Sequence, residues 1–164
     1  MTCKDRLEAY LRDRQVPFET QQHRRAFTAQ GVAASEHIPG KLVAKVVIVF
    51  ADSRMVMLAL PASHRVDLSR VGAALGAKQV YLAGEREIAL AFPDCDIGAM
   101  PPFGTLYNIP VYVDQLLAED ETIVFQAGTH SDTISMSYAD FARLVAPTVA
   151  QFARHALDLE PYVW

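Results

Sequence analysis

Hydrophobic and polar positions change period several times along the chain. Leu7, Tyr10 and Leu11 recur at helical spacing behind Thr2, which predicts a capped helix through about Arg14. Pro17–Thr20 reads as a short strand, followed by the polar run Gln21-Gln22-His23-Arg24-Arg25. Thr28 is placed to cap a second short helix through about His37, which Pro39-Gly40 ends. Leu42 to Phe50 is the strongest strand pattern: Val43, Val46, Val47, Ile48 and Val49 are β-branched and nearly unbroken, so both faces are expected to be buried. Ala51-Asp52-Ser53 is a turn, and Met55 to Leu60 returns as the second arm of a hairpin closed by Pro61.

Asp67 then caps a helix whose Leu68, Val71 and Leu75 share a face, and Gly76 stops it. Gln79–Leu82 reads as a strand and Gly84–Phe92 as a short helix. From Phe92 to Pro102 the pattern is lost in a Pro- and Gly-rich stretch that continues as Phe103-Gly104-Thr105-Leu106. Val111–Val113, Thr122–Phe125 and Ile134–Met136 are strands. Ser137 caps a last helical region, with Asp140 at the capping-box position, and Pro147 interrupts it. Short helices and hairpin-like strands that do not alternate regularly predict an α+β fold with a mixed sheet.

A length of 164 residues suits one domain, read as a core of about residues 5–145 with a C-terminal helical arm over 146–164. Hydrophobic residues make up 51% and charged residues 21%, which excludes a disordered chain. No apolar run approaches the roughly 20 residues of a membrane span, and the charged N-terminus lacks the pattern of a secretion signal. A cytoplasmic protein with no membrane contact is expected. The net charge of −4 argues against non-specific DNA binding. It is uneven, however: residues 1–45 hold eight Lys/Arg against five Asp/Glu, a surplus of +3. Cys3 and Cys95 form no metal-binding spacing, and both are expected to be free thiols. Asp94 and Asp96 flank Cys95 and disfavour a thiolate, and the histidines show no ligand spacing. No metal and no cofactor are assigned.

Three features carry candidate chemistry. Lys45 stands inside the apolar strand, where an ammonium either snorkels to the sheet edge or lines a cavity and meets an anion. Gly98-Ala99-Met100-Pro101-Pro102-Phe103-Gly104 is either an ordinary tight connection or a stiff loop that aims backbone N–H groups at a carbonyl or phosphate oxygen. Gly128-Thr129-His130 follows a strand, where His130 is either structural or an acid/base group. No Gly-x-Gly-x-x-Gly, P-loop or Gly-x-Ser-x-Gly motif is present.

These features, in this order and together with Leu60-Pro61-Ala62-Ser63-His64-Arg65-Val66-Asp67-Leu68 and Val111-Tyr112-Val113-Asp114, resemble the YbaK family, the prolyl-tRNA-synthetase-associated editing domain in free-standing form, over roughly residues 5–145. The resemblance implies a mixed, barrel-like sheet flanked by short helices. It implies hydrolysis of the ester joining a wrong, small amino acid to tRNA, most often tRNA for proline. Water would attack with help from the tRNA's own hydroxyl.

By position, Lys45 would hold the phosphate and ribose of the terminal adenosine, and Gly98 and Pro102 would orient the ester. Gly128 and His130 would shape the amino-acid pocket. Val46, Pro101, Phe103, Gly104 and Thr129 would complete the substrate site, with His23, Arg24 and Arg25 facing the tRNA. The chain departs from the family at Val46, where alanine-type deacylases carry Asn, and at Gly128–Asp132, where cysteine-type deacylases carry Gly-Gly-x-x-Gly. The amino acid removed is therefore open. The partners implied are the acceptor end of mischarged tRNA and an aminoacyl-tRNA synthetase, with the protein itself a monomer. Two other readings stand beside the deacylase: a non-catalytic module of the same fold that binds tRNA ends, a synthetase or an adenosine-like ligand, and a hydrolase of another activated ester.

Overall fold

The β-branched run is strand β2 (Ala44–Ala51), and the rest of the molecule is arranged around it. In the computed structural model, which describes residues 1–23, 29–36 and 39–155, β2 pairs antiparallel with β3 (Arg54–Pro61) along its whole length, from Ala44 opposite Pro61 to Ala51 opposite Arg54. The turn residues Asp52 and Ser53 have φ of 48° and 71°, the left-handed pair that a two-residue hairpin needs. The Asp52 carboxylate accepts the backbone N–H groups of Lys78 and Gln79, which fastens the turn to the start of β5 (Val80–Leu82).

A five-stranded mixed sheet follows. β5 lies antiparallel on β2, while β6 (Val111–Asp114) runs parallel to β3, and β9 (Thr148–Ala150) parallel to β6. A second sheet is antiparallel: β1 (Glu19–Gln22), β8 (Asp132–Ser137) and β7 (Thr122–Gln126). A two-stranded ribbon joins β4 (His64–Val66) to β10 (Ala153–His155). Among the described residues, an isolated bridge pairs Val43, just ahead of β2, with Val124 of β7 and so links the first two sheets. The α+β class and the mixed sheet are as expected. The described strands fall into three sheets and do not close a barrel.

Both faces of β2 are covered, as its pattern predicts. One carries Ile48 into a cluster with Leu7, Leu11, Phe103, Phe125 and Phe141, while the other carries Val49 against Leu58, Leu60, Val66 and Phe152. Each fully enclosed Leu or Phe stabilises by roughly 2–3 kcal/mol. Helix α1 (Cys3–Asp13) contributes Leu7 and Leu11, and its capping box links Thr2 and Asp5. Helix α2 spans Ala29–Glu36; α3 (Leu68–Leu75) is capped by Asp67; α4 spans Glu85–Ala91, and α5 spans Gln115–Ala118. Helix α6 (Tyr138–Val145) is capped by Ser137, which accepts the Asp140 N–H, while the Asp140 carboxylate turns to Arg143. No described helix is long and apolar enough to cross a membrane.

Three expectations are corrected. The first strand lies two residues later than Pro17–Thr20 and takes in Gln21 and Gln22. All four of its residues are exposed, so it has no hydrophobic face to read and is held by backbone pairing to β8. Cys3 and Cys95 are not free thiols. They form a disulfide with Cα atoms 5.0 Å apart, and Cys3 is buried. Residues 146–155 are not a helical arm: α6 ends at Ala146 ahead of Pro147, and the chain then adds β9 and β10 to strands already in place. Residues 156–164, Arg24, Arg25, Thr28 and His37 lie outside the described residues.

Candidate functional site

Strand β5 covers only Val49–Ala51 of β2, so the neighbouring edge is left to line a cavity. Lys45, Val46, Val47 and Ile48 form one wall of this space of about 260 Å³. Leu82, Ala83 and Ile88 form a second, and Ile97, Gly98 and Met100 a third. Among the described residues, Lys45 is the one titratable group in the lining. Its Nζ donates to the His64 carbonyl at 3.1 Å, and no carboxylate among the described residues lies within ion-pair distance. Burial lowers the pKa of the ammonium, and the positive charge of Arg65 lowers it further. The cavity-lining alternative therefore describes Lys45, with a carbonyl rather than an anion as its partner. A half-buried cation with one neutral partner favours an incoming anion or a developing oxyanion.

The Gly98 wall is irregular in sequence but closely tied. The Asp96 N–H donates to the Gly128 carbonyl at 2.8 Å, and the Gly128 N–H donates to the Ala99 carbonyl at 2.9 Å. His130 Nε2 lies 2.9 Å from the Ile97 carbonyl, a contact in which Nε2 carries the proton. Gly98 has φ +86°, and a Cβ there would lie 3.5 Å from His130 Cε1. The structure thus brings Gly98 and the Gly128–His130 segment together, and Gly98 and Lys45 to one cavity. His130 itself is 7% exposed and stands behind the loop as a brace, outside the cavity lining.

The remaining expected site residues divide in the same way. Val46 lines the cavity. Pro101 and Pro102 are buried below the loop. Phe103 is fully enclosed, its ring 5.4 Å from that of Phe141 and 5.6 Å from that of Phe125, and Gly104 is packed against the Ile109 carbonyl. Both belong to the core rather than to a substrate surface. The Thr129 hydroxyl donates to the Asp132 carboxylate at 2.6 Å and holds the turn. Burial would raise the Asp132 carboxyl, but that hydrogen bond and the nearby Lys4 ammonium hold it below the ordinary carboxylate value. Gly128 has φ +95°, and a Cβ there would meet Cys3 at 2.7 Å. The N–H of His23 donates to the Ser131 carbonyl and extends the β1–β8 pairing toward this turn.

Sequence reasoning missed two parts of this construction. The Cys3–Cys95 disulfide and the hydrogen bond from Cys3 N–H to the Asp94 carbonyl fasten α1 to the loop. Two cysteines 92 positions apart carry no local signal of pairing. Asp114 is the second. Its buried carboxylate caps α5 and accepts the N–H groups of Phe152 and Ala153, both at 2.8 Å. An Asp ahead of a short apolar run signals a cap, but not the second task.

Among the described residues, no Ser, Cys, His, Asp or Glu side chain lines the cavity. The arrangement supplies a cation, a glycine turn and apolar walls.

The model of the aminoacyl-tRNA editing domain family matches residues 23–144, a span that contains Lys45, the Gly98 loop and His130. The multifunctional Ser/Thr-tRNA deacylase ProXp-y of Escherichia coli K12 is 30% identical over 102 residues, 62% of this chain and 60% of that protein. The chain thus spans less than two thirds of the length of the curated relative it matches. Among solved structures, the hypothetical protein APE2540 aligns with a TM-score of 0.81 and 18% identity, over 90% of this chain and 99% of that one. A candidate trans-editing enzyme for prolyl tRNA synthetase aligns with a TM-score of 0.80 and 17% identity, over 94% and 98%. At these identities the structures establish a common fold.

Proposed function

The chain belongs to the aminoacyl-tRNA editing domain family, and on that premise we propose that it is a trans-editing deacylase that hydrolyses the ester between a small wrong amino acid and tRNA. One observation carries the reading: within the family span, Lys45 and Gly98 meet at one cavity in whose walls the described residues place no Ser, Cys, His, Asp or Glu side chain. An aminoacyl ester is already activated and needs none. The cavity of about 260 Å³ takes the aminoacyl end and leaves the adenosine outside. The Lys45 ammonium holds the phosphate and ribose at the mouth, and the Gly98 turn offers backbone groups to the ester. Water adds to the ester carbonyl, the carbon–oxygen bond to the ribose breaks, and the proton goes to the leaving ribose oxygen. Free amino acid and uncharged tRNA result.

The name of the Escherichia coli relative supports serine and threonine as the first amino acids to test, and the prolyl-tRNA-synthetase resemblance supports tRNA for proline as the carrier. The test uses catalytic amounts of protein and this tRNA charged with alanine, cysteine, serine or threonine, with prolyl-tRNA as control. Selective loss of one or more mischarged species, with the control intact, is the expected outcome. Tight tRNA binding without turnover on any of them would overturn the deacylase and leave the non-catalytic binding module.

A further inference from the structure

The deacylase reading leaves unexplained a cationic surface beside the cavity. We propose that the β4–β10 ribbon is the docking surface for the backbone phosphates of the tRNA acceptor end, an inference that rests on that reading. The register sets Arg65 directly opposite Arg154, and His64 opposite His155. Like charges facing each other across an antiparallel pair are destabilising, and positions that break a local stability rule are expected at functional sites. Both arginines are exposed. Among the described residues one carboxylate answers the pair: Asp67 Oδ2 lies 2.6 Å from Arg154 Nε. Arg70 joins the group from α3, its guanidinium donating to the Ala153 carbonyl at 3.3 Å. His64, Arg70, Arg154 and His155 share a shallow depression of about 310 Å³.

The ribbon is continuous with the cavity. Lys45 donates to the carbonyl of His64, the residue next to Arg65, so a track of cations leads from the cavity mouth onto the ribbon. Guanidinium groups suit phosphate because their forked donors match its oxygens. A substrate whose ester enters beside Lys45 from the ribbon side would carry its backbone phosphates along this surface. The basic surplus of residues 1–45 is thus joined by a second basic site, assembled from segments about 90 residues apart.

The test compares wild type, Arg65→Ala and Arg65→Lys on mischarged tRNA and on the matching aminoacyl-adenosine, which has the ester but no stem phosphates. For Arg65→Ala, KM on tRNA should rise about five- to tenfold with kcat unchanged. The dependence of log KM on log salt should flatten by about one charge. Activity on aminoacyl-adenosine should not change, and Arg65→Lys, which keeps the charge but not the fork, should recover part of the loss. An unchanged KM and salt slope would overturn the proposal, as would an equal loss on aminoacyl-adenosine, which would mean that Arg65 acts through Lys45. If wild type turns over no tRNA, the deacylase reading fails by itself. The ribbon is then judged by the affinity for uncharged tRNA: weaker binding by Arg65→Ala supports it and unchanged binding overturns it. Competition by an acidic peptide but not by RNA would assign the surface to a protein partner and overturn the tRNA assignment.

Discussion

The Phe92–Phe103 loop and the β4–β10 ribbon approach Lys45 from two sides and are built by opposite means. The loop contains no regular element, yet it exchanges backbone hydrogen bonds with Gly128, is braced by His130 and is fastened to α1 through Cys95. The ribbon is regular but only three residues long on each strand, and two aspartates hold it. Asp114 accepts the N–H groups of Phe152 and Ala153, while the Asp67 N–H donates to the Phe152 carbonyl and its carboxylate pairs with Arg154. The loop presents a glycine turn to the cavity, and the ribbon presents cations to solvent. Rigid backbone suits a surface that must orient a reacting ester, whereas exposed guanidinium groups suit a surface that need only attract and release a polyanion.

The sharpest way to break this comparison is at the residue the two regions share. Lys45→Ala should lower kcat/KM on mischarged tRNA at least about a hundredfold. The melting temperature should hold or rise, because a half-buried ammonium is removed. Full activity would remove Lys45 from the mechanism. Cys95→Ser tests the fastening of the loop. The disulfide closes a long stretch of chain, so its loss should cost about 2–4 kcal/mol in denaturant titrations under oxidising conditions and little under reducing ones.

Asp114→Ala is the corresponding test of the ribbon. It leaves buried N–H groups unpaired and should cost about 2–3 kcal/mol. KM on tRNA should rise while aminoacyl-adenosine turnover survives, and the converse pattern would dissolve the division of labour. Gly98→Ala forces a Cβ onto a φ of +86°, a strain of about 1–2 kcal/mol. Turnover should fall about tenfold on both substrates.

The smallest effect is in acid. Burial would raise the Asp67 carboxyl, but hydrogen bonds from Ser69 and Arg70 and the charge of Arg154 hold it below its ordinary value of 3.8. Its contribution is therefore complete above the ordinary carboxylate range and is lost as pH falls through the lowered value. Urea titrations from about pH 5 to pH 2 should show a shallower loss of stability for Asp67→Asn than for wild type.

Where a run of residues carried its own period, the elements were legible. The β2–β3 hairpin follows from the β-branched run before Asp52-Ser53 and the apolar run Met55–Leu60 after it, and α1, α3 and α6 from their caps and apolar stripes. β1 is not legible because all its residues are exposed, and β9 and β10 are not legible because three residues are too few to show a period. The candidate site was half legible. Lys45 stands out as a charge in an apolar strand and Gly98 as a glycine in a Pro-rich loop, but Phe103 and Gly104, at the far end of the same run, turn inward to the core.

The sequence by itself determined the α+β class, the central hairpin, the helix caps and the anomaly of a lysine among valines, because each depends on neighbours a few residues apart. Tertiary structure alone decided that Lys45 meets a cavity instead of snorkelling into water, that His130 braces a loop, that Cys3 finds Cys95 and that Arg65 faces Arg154. These outcomes depend on which distant segments arrive at the same place. A strand edge becomes a cavity wall only because β5 stops short of it, and no pattern within β2 records where β5 ends.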